Sequence, residues 1–223
     1  DEQVAAAIAE GGTEVKLPLV DKVVFRTITD DTSRSASLKK GDIDVMQSAN
    51  PQDIIAFKEA GARGEYQVFN AVRGETSESM VMLNTKAAPL NDPDARRALA
   101  YATNKKDYID TVAQGLYEPA NGPFAPSSRW YNKEVETTYP QFDQAKAREL
   151  VEKVKAKNGG QFAFKLVGPP GATVGQSLAA IQGQWKEVGI DVTIDQVEQA
   201  PLIVQVLTGG YQAVIWQQFA SPH

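Results

Sequence analysis

From residue 142 onward, the chain alternates two hydrophobic periods. Short apolar runs with strand character take turns with longer stretches in which apolar residues return every three or four positions. The pattern predicts a helix from Phe142 to about Lys157, a turn at Asn158-Gly159-Gly160, and a strand from Phe162 to Val167. A Gly/Pro loop then leads to a helix from about Thr173 to Val188 and a strand from Ile190 to Ile194. A helix from Ala200 to Leu207, with Pro201 in its first turn, and a buried strand from Tyr211 to Trp216 complete the series. Strand and helix in alternation imply right-handed crossovers and a sheet of at least partly parallel order, hence an α/β fold.

The first half is less regular. Val23, Phe25 and Ile28 form a β-favouring run, Ser33 to Lys40 a short helix ended by Gly41, and Ile43 to Met46 a second short strand. Pro51 opens a helix over Gln52 to Ala60, and Tyr66 to Val68 and Met80 to Leu83 read as further strands. Asn91 and Asp92 can cap a helix that starts at Pro93 and places Ala95, Leu99 and Ala102 at helical spacing. Asn104 breaks it and caps a second helix with the stripe Tyr108, Ile109, Val112 and Leu116, which Gly115 and Pro119 stop. Residues 117–141 contain four prolines and exceed an ordinary connection; wrapping a neighbouring element is their expected role.

Composition narrows the function classes. The chain has 223 residues, 42% apolar and 23% charged, enough to bury a core. A net charge of −5 with scattered Lys and Arg offers no basic stripe, so no nucleic acid is expected as a partner. With no cysteine there is no thiolate chemistry, disulfide or Cys-based metal site. No apolar run approaches the roughly 18 residues of a spanning helix. The start at Asp1 shows no basic-then-apolar leader, so the expectation is either a removed signal peptide or a piece excised from a longer protein.

Catalysis finds little footing. The single histidine is His223, which forbids a Ser/His/Asp or H-E-x-x-H arrangement. Asp30/Asp31 and Asp42/Asp44 read as helix caps and solvated faces rather than paired catalytic carboxylates or a metal site. The Arg96-Arg97 pair reads as structural ion pairing. Gly168 to Gly175, between a strand and a helix, lacks both Gly-Lys-Ser/Thr and G-x-G-x-x-G, so it reads as a turn rather than a nucleotide cradle. No catalytic residue, metal or cofactor is expected, and the chain is expected not to be an enzyme.

The order of motifs resembles the family 5 extracellular solute-binding proteins, the peptide- and nickel-type receptors of ABC importers. It is carried by V-D-K-V-V-F-R-T-I-T-D-D (Val20 to Asp31), L-K-K-G-D-I-D-V-M (Leu38 to Met46), L-N-T with the P-L-x-D turn, R-R-A-L-A-Y-A and N-K-K-D-Y-I-D-T-V. Farther on it is carried by Phe142 to Leu150, Gln182 to Val192 and Gly209 to Trp216. The resemblance implies a periplasmic-binding-protein-like (type II) lobe with a mixed sheet and flanking helices, plus a small α/β portion of the other lobe. Residues 1–83 would end lobe one, 84–216 would form lobe two, and 217–223 would be the return crossover.

The resemblance also implies hinge closure at Asn84 and Thr85 and again near 217–221, in a monomeric receptor outside the cytoplasmic membrane, periplasmic or lipid-anchored. That receptor would hand a peptide or other small solute to an ABC permease. Gln176 lies where such receptors often carry a basic ligand contact. Phe219 stands where peptide receptors place an Asp after a Trp, which points toward sugars or capped, less charged peptides. Gln176, Trp216, Gln217, Gln218, Phe219 and Met82 are therefore the expected ligand-lining residues, with a core-filling role the alternative for Trp216. A hydrolase on an α/β scaffold and an interaction or chaperone-like module are the competing classes.

Overall fold

The computed structural model describes residues 20–69, 77–124, 126 and 128–219. The expectations for Ala5 to Ala7 and His223, and for the side chains of Gln218 and Phe219, lie outside the described residues. The chain forms two compact units, divided between Ser48 and Ala49.

In the first unit, helix α1 spans Asp31–Lys40. Asp30 caps it by accepting the Ser33 N–H at 2.7 Å, and Gly41 closes it at φ +78°, a left-handed conformation that glycine adopts without a Cβ penalty. Arg34 binds the Ile28 carbonyl at 2.7 Å and pairs with Asp31, so this acidic pair serves as cap and ion partner. The expected strands at 23–28 and 43–46 are not formed. Phe25 is 93% exposed and Val45 85% exposed, and no partner strand in the described part of this unit takes up their backbone groups.

The second unit opens with helix α2, Pro51–Ala62, whose start Asn50 caps and whose Phe57 meets Tyr66 edge-on at 5.0 Å. Tyr66 to Val68 forms no strand. Strand β1 spans Ser77–Leu83, α3 Pro93–Ala102, α4 Lys105–Val112, and the single-turn α5 Val135–Thr138. Then come α6 Gln144–Lys157, β2 Ala163–Gly168, α7 Ala172–Glu187, β3 Asp191–Gln196, α8 Gln199–Leu207 and β4 Ala213–Phe219. Helix α4 stops four residues before the end of its apolar stripe, because Gln114 and Gly115 turn left-handed at φ +51° and +73°.

The sheet has the order β1-β4-β2-β3. β2 pairs in parallel with β3 and β4, and β1 runs antiparallel to β4 from Ser77↔Phe219 to Leu83↔Ala213. One face is covered by α3, α6 and α7, whose Leu99, Val151, Val154, Leu178 and Trp185 close over Phe162, Phe164 and Leu166. The other face carries a small cluster, Val167, Leu202 and Val214, beneath α8. This asymmetry positions the site.

Candidate functional site

β4 touches β2 only at Leu166↔Ala213 and Val167↔Val214; from Ile215 to Phe219 it pairs with β1 alone. Five residues at roughly 3.3 Å each give a two-stranded ribbon of about 16 Å beyond the carboxyl end of β2. α7 and α8 start just after the carboxyl ends of β2 and β3, and neither has a side-chain cap. In open α/β sheets this edge is where ligands settle.

Strand alternation divides the expected lining residues. Directly opposed residues in an antiparallel pair share a face, so Met80↔Trp216 and Met82↔Val214 lie on the face of the small cluster, together with positions 78 and 218. Position 217 falls on the opposite face, so the neighbours 216 and 217 do not share one wall. Trp216 is half-buried and packs against the α8 cluster, so it serves as a core contact. Met82 packs there too. Gln176 is exposed near the start of α7, at the same carboxyl edge.

Asn84 follows the Leu83 end of β1, where β1 pairs with Ala213. Asn84 donates its backbone N–H to the Gln212 carbonyl at 2.8 Å, and its side-chain amide to the Gly209 and Tyr211 carbonyls at 3.1 and 2.8 Å. Its side-chain oxygen accepts the Lys86 N–H at 3.1 Å. Gln212 adds a bond to the Ala88 carbonyl and accepts the Lys165 N–H. Residue 84 is thus the riveted end of β1, in a place where backbone rotation would break several bonds at once.

Glu78 is a half-buried carboxylate that the sequence reading did not single out. It lies on the Met80/Trp216 face, half-buried, and burial pushes its carboxyl above its ordinary value. Its signal was present in the alternation: in S-E-S-M-V-M-L a carboxylate occupies the same parity as Met80 and Met82.

Other polar residues serve the scaffold. Arg96 binds the Leu90 and Asn91 carbonyls at 2.8 and 3.1 Å, and Arg97 pairs with Asp94. Lys105 donates to the Ala120 carbonyl and the Asn121 side chain, and lies 3.9 Å from the centre of the Tyr139 ring; burial holds its ammonium below the ordinary value. Glu136 accepts from Asn121 and Tyr131, so the Pro-rich segment is fastened to the start of α4. Among the described residues, no group of three or more His, Asp or Glu side chains converges as a metal site.

A sequence model described as "Bacterial extracellular solute-binding proteins, family 5 Middle" matches residues 14–223. The chain is 28% identical over 220 residues to the nickel-binding periplasmic protein of Escherichia coli K12, covering 92% of this chain and 41% of that protein. It is 28% identical over 202 residues to that organism's dipeptide-binding protein, covering 89% and 36%. In fold it is similar to the periplasmic binding protein DppA of Helicobacter pylori in complex with the peptide STSA. That similarity has a TM-score of 0.72 at 22% identity, over 87% of this chain and 36% of the other. The chain therefore spans about two fifths of the length of these relatives.

Proposed function

From the membership of this chain in the bacterial extracellular solute-binding proteins, family 5, we propose that it is part of the substrate-binding component of an ABC import system. The whole receptor would capture a solute such as a peptide outside the cytoplasmic membrane and deliver it to a membrane permease. The observation that supports this reading is the β1/β4 ribbon that continues past the end of β2, where half-buried Trp216 stands opposite Met80. Such a wall offers aromatic contact and hydrogen-bonding backbone at the carboxyl edge of a parallel sheet, and enclosing a solute there requires no bond to be made or broken.

The crossings between lobes are assigned to the Ser77 and Phe219 ends of the ribbon, adjacent in register, rather than to Asn84 and Thr85. Two strands that leave side by side can bend together without breaking the sheet behind them, which suits closure about a hinge. Residues 84–216 with β1 would then form most of the second lobe, and earlier residues part of the first. The receptor is assigned a monomeric, extracytoplasmic existence. Among the described residues no helix is long and apolar enough to cross a membrane.

The test is a thermal-shift and calorimetric screen of the longer receptor against di- and tripeptides and nickel complexes, with product analysis. A ligand-dependent rise in melting temperature without turnover supports the reading. Consumption of a bound peptide would replace it with the hydrolase.

A further inference from the structure

We propose that Lys105, Asn121 and Glu136 form a self-modifying site, in which the Lys105 amine displaces ammonia from the Asn121 side chain and leaves an isopeptide bond between α4 and the Pro-rich segment. The three side chains touch in series. Lys105 Nζ donates to Asn121 Oδ1 at 2.8 Å, and Asn121 Nδ2 donates to Glu136 Oε2 at 2.6 Å. A nucleophile, an electrophilic carbon with its leaving group, and a proton carrier therefore stand in the order that acyl transfer requires.

Lys105 differs in its contacts from the lysines that form ion pairs. Lys106, Lys146, Lys153, Lys155 and Lys157 each pair with a carboxylate, which favours the ammonium form. Lys105 binds two neutral oxygens, the Ala120 carbonyl and the Asn121 amide, and lies 3.9 Å from the centre of the Tyr139 ring. Burial favours its neutral amine, the form that attacks, against the opposing pull of Glu136. Glu136 has the complementary role. Hydrogen bonds from Tyr131 and Asn121 hold its carboxyl below the ordinary value, so it is ionised and free to take a proton, and it already holds the nitrogen that must leave.

The step balances with no further reactant. The neutral Lys105 nitrogen adds to Asn121 Cγ while the carbonyl electron pair moves to Oδ1. The carbonyl re-forms as the Cγ–Nδ2 bond breaks, Glu136 carries one proton from Nζ to Nδ2, and ammonia departs. The Gly122 backbone nitrogen competes for the same carbon; its attack would give a succinimide, which water opens to aspartate or isoaspartate. That route needs the backbone at Gly122 to swing, and a Cβ built there would meet the Val135 side chain at 3.4 Å, whereas Lys105 is already in contact. With no cysteine in the 223 residues, no disulfide within them can fasten the Pro-rich segment. An amide between positions 16 apart would constrain the unfolded chain as a disulfide does.

The experiment digests the longer receptor with trypsin, after folding and storage in neutral buffer, and weighs the peptides by mass spectrometry. Residues 98–106 and 107–129 are expected to stay joined through Lys105 and Asn121, lighter than the two separate peptides by one ammonia. Lys105→Arg and Asn121→Ala are each expected to abolish the joined species. Glu136→Gln is expected to slow its appearance by about a hundredfold, the lower end of what a positioned acid or base contributes. Separate peptides with Asn121 intact overturn the proposal and leave the Lys105 contact a hydrogen bond. Aspartate or isoaspartate at position 121 without joining overturns it as well, and gives the carbon to Gly122. Joining at an undiminished rate in Glu136→Gln overturns the role of Glu136.

Discussion

Gln184 of α7 closes the break between α3 and α4 by bonding both backbone groups of Asn104: its side-chain oxygen accepts the Asn104 N–H at 2.9 Å, and its amide donates to the Asn104 carbonyl at 3.2 Å. One residue away, the Trp185 indole N–H donates to the Thr103 hydroxyl at 3.0 Å. Two adjacent residues of one helix thus satisfy the backbone and side-chain groups that the break between two other helices would leave open. Gln184→Ala is expected to cost about 1–3 kcal/mol, the range for stranding partly buried polar groups. Denaturant unfolding measures it, and a loss under about 0.5 kcal/mol would show that water replaces the amide.

Lys157, at the end of α6, bonds Asp92 at 2.8 Å and Asp94 at 3.2 Å, at the start of α3. The Lys157 hydrogen bond, with the Asp94 N–H, holds the Asp92 carboxyl below its ordinary value of 3.8. A depressed folded value means that the stabilisation is fully present above pH 3.8 and is withdrawn as pH falls through the folded value. Asp92→Asn is therefore expected to flatten the acid limb of a stability-versus-pH curve and to lower stability at neutral pH. Parallel acid limbs for variant and wild type would refute the assignment.

Leu166 is fully buried in the centre of the sheet, between the helices of the main core and the strand pairing with Ala213. Leu166→Ala is expected to cost about 2–5 kcal/mol through lost transfer energy and the cavity left behind. Chemical denaturation checks the value, and a cost below about 1 kcal/mol would mean that the core collapses into the gap.

Asn84→Ala separates rivet from hinge. Loss of the bonds to Gly209 and Tyr211 is expected to lower stability by about 1–3 kcal/mol. The ligand-induced compaction of the longer receptor, followed by small-angle scattering, should remain unchanged, because the bending assigned here occurs at the other end of the ribbon. Altered compaction in a variant that is still folded would return the hinge to residue 84.

Local chemistry made much of the fold legible. Asp92 and Asn104 each cap the helix that their position announces, accepting N–H groups within one turn. Pro93 begins α3, and Gly41 ends α1. These signals are short-range, since a cap or a left-handed glycine acts on residues within four positions of itself. The alternation of strands and helices after residue 142, and with it the α/β class, came from the same kind of information.

Partnership was not legible, because a strand exists only through a second strand. Val23 to Ile28 has the composition of a strand and forms none, whereas β4 runs to Phe219, three residues past its expected end, because β1 lies beside it. Which side chains share a face was not legible for the same reason. Trp216 and Gln217 are neighbours in sequence and stand on opposite faces, while Glu78 and Trp216, 138 positions apart, share one by register. Sequence alone determined the longer helices, several of their caps and the fold class; tertiary structure decided the strand pairing, and through it which side chains meet, since only backbone pairing converts a period of two into a common surface.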